Sequence, residues 1–164
     1  KRRKTRLIMD IVKPKAVLID WEGTISGHSQ IFPYIEDILQ LLAKHNIYTA
    51  VVSNMRGEAL RRIIADCDMD KYFAKVIGYG DCSVGKPNTE PVYKALEGSF
   101  IEPSLEVFFI GDSQADIICA TNSGCRSLFL NMDNYPEYML RNSPSHHVFK
   151  SHEELWNFID KCFK

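Results

Sequence analysis

The chain lacks a dominant sign of charge, a patterned set of cysteines and any long apolar run, and each absence removes a class of protein. Twenty Lys and Arg face 21 Asp and Glu, for a formal net charge of −1. That balance gives no general attraction to nucleic acid or to anionic membrane, although a local basic face remains compatible with it. The five cysteines (Cys67, Cys82, Cys119, Cys125, Cys162) form no C-x-x-C pair and no Cys/His cluster. An odd, unpatterned set excludes a disulfide framework and reads as reduced thiols in a cytoplasmic protein. No apolar stretch approaches the roughly 20 residues of a membrane span. Low-complexity linkers and internal repeats are missing too. What remains is 164 residues, 45% hydrophobic and 25% charged, the balance of one ordinary globular domain. Folding at this size buries roughly 70% of the extended chain's surface, enough for a core without disulfides or a structural metal. Cys67, Cys119 and Cys162 fall among apolar residues on helical patterns and are expected to be small core residues.

The first six residues, KRRKTR, are basic. We expect an N-terminal arm over residues 1–12, solvated rather than a binding element, followed by a single domain over 13–164. Within that domain two kinds of segment alternate. Ala16–Ile19, Tyr48–Val52, Lys75–Ile77, Val107–Ile110 and Ser127–Leu130 are short apolar runs bounded by turn residues, the pattern of strands buried on both faces. Between them apolar residues recur at i, i+3, i+4 and i+7, as in Ile35/Ile38/Leu39/Leu42, Leu60/Ile63/Ile64/Cys67 and Leu155/Phe158/Ile159/Cys162, which predicts helices. Pro33 suits a first helical turn, Gly124 a helix stop, and Ser151 with Glu154 a capping box. This alternation predicts an α/β fold, a doubly wound, Rossmann-like parallel sheet with helices on both faces. Ligands then bind outside the carboxyl ends of the strands.

The strand ends carry the chemistry. The first leads into Asp20-Trp21-Glu22-Gly23-Thr24, two carboxylates followed by a glycine that permits a sharp turn. The second ends in Ser53-Asn54, a hydroxyl and an amide. The third is followed by Gly85-Lys86-Pro87, and the fourth by Gly111-Asp112-Ser113 with Asp116 one turn later. Singly, each has a bland reading: Ser-Asn is ordinary turn chemistry, and S-x-x-D is a capping signature. Together they place several acids, a hydroxyl and a cation on one rim. The acids repel one another without a cation, and hard oxygen ligands suit Mg²⁺; the hydroxyl and Lys86 suit a phosphate.

D-x-x-G-T, Ser, Lys-Pro and G-D-S-x-x-D in this order resemble the four motifs of the haloacid dehalogenase-like hydrolases over about residues 16–130. Gly85 through Leu96 and Gly111 through Gly124 are similar to the phosphoglycolate phosphatase-like branch. The resemblance implies a Mg²⁺-dependent phosphatase that hydrolyses a phosphate monoester through an aspartyl phosphate. Asp20 would be the nucleophile and Glu22 the acid/base. Asp20, Asp112 and the backbone carbonyl of Glu22 would bind Mg²⁺, with Asp116 binding the metal or holding its shell. Ser53, Asn54 and Lys86 would hold the phosphoryl group.

Two features depart from the family pattern. Glu22 stands where its phosphatases usually carry Asp, one methylene shorter. D-x-E-G-T also resembles the enolase-phosphatase branch, and Asp-Trp-x-Gly-Thr the phosphonoacetaldehyde hydrolases. The 28 residues between Thr24 and Ser53 are filled by a flap near Ile25–Ile31, a helix and a strand. Those between Asn54 and Lys86 leave only a loop near Gly80–Val84. A capless member is therefore expected, which argues against both those activities. The expected partner is a phosphorylated small molecule or macromolecule rather than a membrane or nucleic acid in general. A net charge near zero also permits a homo-oligomer. The alternative is a slow or idle binding and regulatory module on the same fold. A receiver domain is disfavoured, because it needs its phosphorylated Asp after the third strand. His28, on the flap, and His146-His147 read as an exposed loop residue and as an isolated pair, not as metal sites.

Overall fold

The structure is a computed structural model and describes residues 11–141 and 144–164; the basic run Lys1–Arg6 lies outside them. The elements run β1 (Ala16–Ile19), β2 (Ser26–Gly27), β3 (Gln30–Ile31), α1 (Ile35–Lys44), β4 (Tyr48–Arg56), α2 (Gly57–Asp66), a 3₁₀ turn (Asp70–Tyr72) and β5 (Lys75–Tyr79). They continue with α3 (Glu90–Leu96), β6 (Val107–Gly111), α4 (Gln114–Asn122), β7 (Arg126–Leu130), α5 (Glu137–Leu140), β8 (His147–Phe149) and α6 (His152–Lys161). Six strands form one sheet in the order β5-β4-β1-β6-β7-β8, every pair parallel. Because both faces are covered, the strand side chains divide by parity. Val17, Ile19, Val51, Phe108, Ile110 and Leu128 pack with α1, α2 and α6. Ala16, Leu18, Ala50, Val52, Val107 and Phe109 pack with α3 and α4 on the other face.

Register sets the position of the rim. Ile19 pairs with Val51 on one side and with Ile110 on the other. β1 and β6 therefore end almost level while β4 runs on to Arg56, and the residues that follow Ile19, Val51 and Ile110 emerge side by side. The switch in strand order lies at β1, where an open parallel sheet leaves its crevice.

At the usual place of a cap insertion stands only the hairpin of β2 and β3, two residues in each strand, and no second domain occurs among the described residues. No helix of the described residues is long and apolar enough to cross a membrane.

Several local features differ from the sequence pattern. The strand expected to end at Val52 extends to Arg56. A sixth strand, β8, pairs with β7; at three residues it is too short to show a period. Pro33 stands one residue before the α1 N-cap, Tyr34, rather than in the first turn. Ser151 caps α6 by accepting from the Glu154 N–H at 3.2 Å. The Glu154 carboxylate, however, accepts from the Lys150 N–H rather than from Ser151. Cys119 and Cys162 are buried as expected, but Cys67 is exposed. It is the C-cap of α2, whose buried residues are Gly57, Leu60 and Ile64. Ile63 (37% exposed) and Cys67 lie on a flank that faces the flap across an open cavity rather than packing into the core.

Candidate active site

Lys86 is the centre of the rim. Its ammonium is buried and donates to Asp20 Oδ1 at 3.0 Å, to Asp116 Oδ1 at 2.6 Å and to the Val52 carbonyl at 3.0 Å. Three acceptors match the three N–H bonds of an ammonium. Burial works against the charge, but Asp116 and Asp20 outweigh it and hold Lys86 above its ordinary range. Its backbone is fixed as well. The Asn54 amide accepts from the Lys86 N–H at 2.9 Å and donates to the Lys86 carbonyl at 3.0 Å. Both ends of the Asn54 side chain are thus engaged in holding the Lys86 loop. Gly85 allows this approach, since a Cβ there would stand 2.7 Å from Asn54 Oδ1.

Asp20 leaves β1 with its side chain buried. Besides Lys86, its Oδ1 accepts from the Trp21 N–H at 2.9 Å. Burial first, and then repulsion from Asp116, raise its carboxyl well above the usual aspartate range against the opposing pull of Lys86. Asp112 is also raised, by burial and by Asp116. Asp116 opens α4 in a reciprocal capping box with Ser113. Its Oδ2 accepts from the N–H groups of Asp112 and Ser113 and from the Ser113 hydroxyl, while Oδ1 faces Lys86. The capping reading of S-x-x-D therefore holds, and the same aspartate also anchors the lysine.

One oxygen from each of Asp20, Asp112 and Asp116 lies within 4.8 Å of the others. Three carboxylates around one ammonium leave a deficit of positive charge when all are ionised. An all-oxygen donor set with that deficit fits a hard divalent cation. Gly23, with φ +80°, shapes the same spot: a Cβ there would stand 2.0 Å from Asp112 Oδ2.

The buried Ser53 hydroxyl accepts from the Met55 N–H at 3.1 Å, which leaves its own O–H to donate. Ser53, Asn54 and Lys86 share with Asp20, Glu22 and Asp112 the lining of a depression of about 360 Å³. Glu22 is exposed at its edge. His28 is exposed at the flap tip, and His146 and His147 lie on or beside β8, away from this lining. Sequence patterns hold no sign of one further support. His152, buried at the start of α6, places Nε2 2.7 Å from the Thr24 carbonyl. A carbonyl only accepts, so this nitrogen carries the proton. The ring also stacks on Phe32 with centroids 4.4 Å apart, which ties α6 to both ends of the flap.

Comparisons with known proteins establish the family. The family model described as haloacid dehalogenase-like hydrolase matches residues 4–130. A phosphoglycolate phosphatase of Photorhabdus laumondii is 32% identical over 144 residues, covering 86% of this chain and 61% of that protein. The phosphoglycolate phosphatase of Escherichia coli K12 is 32% identical over 117 residues, 71% of this chain and 44% of that protein. The chain thus spans about half to three-fifths of the length of these relatives. A HAD-superfamily hydrolase from Ehrlichia chaffeensis superposes with a TM-score of 0.82 at 26% identity, covering 94% of this chain and all of that one. The chain belongs to the haloacid dehalogenase-like hydrolases, as a member without a cap domain among its described residues.

Proposed function

We propose that the protein is a phosphatase that hydrolyses phosphate monoesters through Asp20 with Mg²⁺. The observation that carries this reading is the Lys86 ammonium held between Asp20 and Asp116, with Asp112 beside them, at the edge of a depression that also presents Ser53. The names of the relatives, phosphoglycolate phosphatases, support the same reaction class. A dianionic phosphate approaches a carboxylate only where fixed positive charge offsets the repulsion.

Asp20, Asp112 and the backbone carbonyl of Glu22 would hold the cation, with Asp116 bracing Asp112 and Lys86 from behind. When bound, Mg²⁺ supplies charge neutralisation to the attacking carboxylate and the phosphoryl oxygens. The Ser53 hydroxyl donates to those oxygens, the Lys86 ammonium supplies fixed positive charge beside Asp20, and Asn54 keeps Lys86 in place. Because Asp20 Oδ1 already accepts two hydrogen bonds, Oδ2 attacks phosphorus. The ester P–O bond breaks, and the leaving oxygen takes the proton of the Glu22 carboxyl. Glu22, now ionised, removes a proton from a water that attacks the phosphorus of the aspartyl phosphate. That step frees phosphate and restores both side chains. The added methylene of Glu22 lets it reach outward from a rim that no lid of the described residues covers.

The test is a panel of phosphate monoesters with the purified chain and Mg²⁺. Phosphate release that stops with a chelator and returns with Mg²⁺ is expected. Asp20→Asn should remove nearly all turnover while the protein stays folded, because the side chain is isosteric and lies at the rim. Undiminished release by that variant contradicts the assignment.

A further inference from the structure

Glu22 lines two cavities. One is the phosphoryl depression. The other, about 480 Å³, lies between the flap and α2 and is lined by Trp21, Ser26, His28, Ser29, Ile63 and Asp66 among others. If Glu22 protonates the leaving oxygen, the rest of the alcohol must lie within reach of that carboxyl. Among the described residues, the cavity under the flap shares Glu22 with the phosphoryl depression. The neighbouring depression beside Asn54, Tyr79 and Lys86 does not include Glu22.

The chemistry of the flap cavity is one-sided. Two acidic residues, Glu22 and Asp66, line it, and no Lys or Arg of the described residues contributes to its lining. Ser26 and Ser29 offer hydroxyls. His28 and Ser29 are held at the tip with φ of 51° and 63°, a left-handed backbone that non-glycine residues rarely adopt. Ile63, left uncovered on α2, gives an apolar patch against which carbon atoms can lie. A leaving group bearing a carboxylate would meet the Asp66 carboxylate here and no Lys or Arg of the described lining, a repulsive arrangement that works as selection against it. A hydroxylated one would find acceptors and donors.

We propose that this cavity is the alcohol subsite and that Asp66 makes it selective for polyol phosphates over phosphates of hydroxy acids. The proposal rests on the phosphatase reading. It sets this chain apart from the substrate named for its relatives, since phosphoglycolate carries a carboxylate on its alcohol half.

The experiment compares kcat/KM for glycerol 3-phosphate, phosphoglycolate and p-nitrophenyl phosphate in the full chain with Mg²⁺. Glycerol 3-phosphate should exceed phosphoglycolate by about tenfold or more, and the ratio should shrink as salt screens the carboxylates. Asp66→Lys should raise kcat/KM for phosphoglycolate and reverse or flatten the preference. Glu102→Lys, the same charge reversal on an exposed residue of the loop that leads into the amino end of β6, should leave the ratio as it is. Hydrolysis of p-nitrophenyl phosphate combined with a preference for phosphoglycolate overturns the subsite and leaves the phosphatase reading intact. So does a preference unmoved by Asp66→Lys. Failure to hydrolyse any of the three overturns the phosphatase reading, and the subsite falls with it.

Discussion

Gly23 shows how one residue fixes the rim. Its φ of +80° costs an L-residue about 1–2 kcal/mol, and a Cβ there would strike Asp112 Oδ2 at 2.0 Å. The two effects can be separated. Gly98 and Gly124 have φ of +80° and +81°, but a Cβ added at either would meet nothing within 4 Å. Alanine at any of the three should lower stability by about 1–2 kcal/mol in denaturant titration. Only Gly23→Ala should also raise the Mg²⁺ concentration needed for half-maximal turnover, because only there is an acidic side chain displaced. Equal activity in all three variants would show that the position of Asp112 does not matter. Lys86 illustrates the complementary case. A buried ammonium with all three donors placed is stable only while its partners remain, since an unpaired buried charge is strongly destabilising.

At the scale of elements, α6 reaches the flap through His152. His152 gives the Thr24 carbonyl its donor and Phe32 its stacking partner. His152→Phe keeps a ring but removes the donor, so a buried carbonyl is left unpaired and stability should fall by about 1–3 kcal/mol. Amide exchange at Thr24, Ile25 and Ser26 should accelerate in that variant, and His152→Gln, which restores a donor, should slow it again. Unchanged exchange in His152→Phe would mean that α6 does not hold the flap. This contact joins residues 128 apart in sequence, and no local pattern marks it. The five apolar runs are legible because strands covered on both faces need no alternation. Asp20, Ser53, Lys86 and Asp112 are legible as rim residues because each follows such a run. The hairpin strands and β8 are too short to show a period. Cys67 and Ile63 satisfy the helical spacing, yet burial depends on what packs against the helix, and that flank borders an open cavity under the flap. The engaged amide of Asn54 and the double duty of Asp116 follow from side-chain geometry, which spacing alone does not carry.

The whole molecule should be sensitive to acid. Burial, followed by Arg126 and His146, pushes His147 down to about 4; His146 and His152 are also lowered, chiefly by burial. As pH falls from about 6.5 towards 4, the unfolded chain takes up protons that the folded chain refuses, so stability is lost across that window. Asp20 and Asp112, both raised, act in the opposite sense over the acidic part of the range. His147→Gln isolates the histidine contribution and should flatten the fall in denaturation midpoint between pH 7 and pH 5. An unaltered slope would show that His147 plays no part in the acid sensitivity.

Covalent chemistry at Asp20 is the step on which the proposed function depends. Its most direct measurement is a rapid acid quench of the wild-type protein during turnover of a labelled phosphate monoester with Mg²⁺, followed by proteolysis and mass spectrometry. We predict a hydroxylamine-labile phosphoryl group on Asp20, formed at least as fast as phosphate is released. Label on another residue, or steady phosphate release with no acyl phosphate while Asp20→Asn remains active, would contradict it.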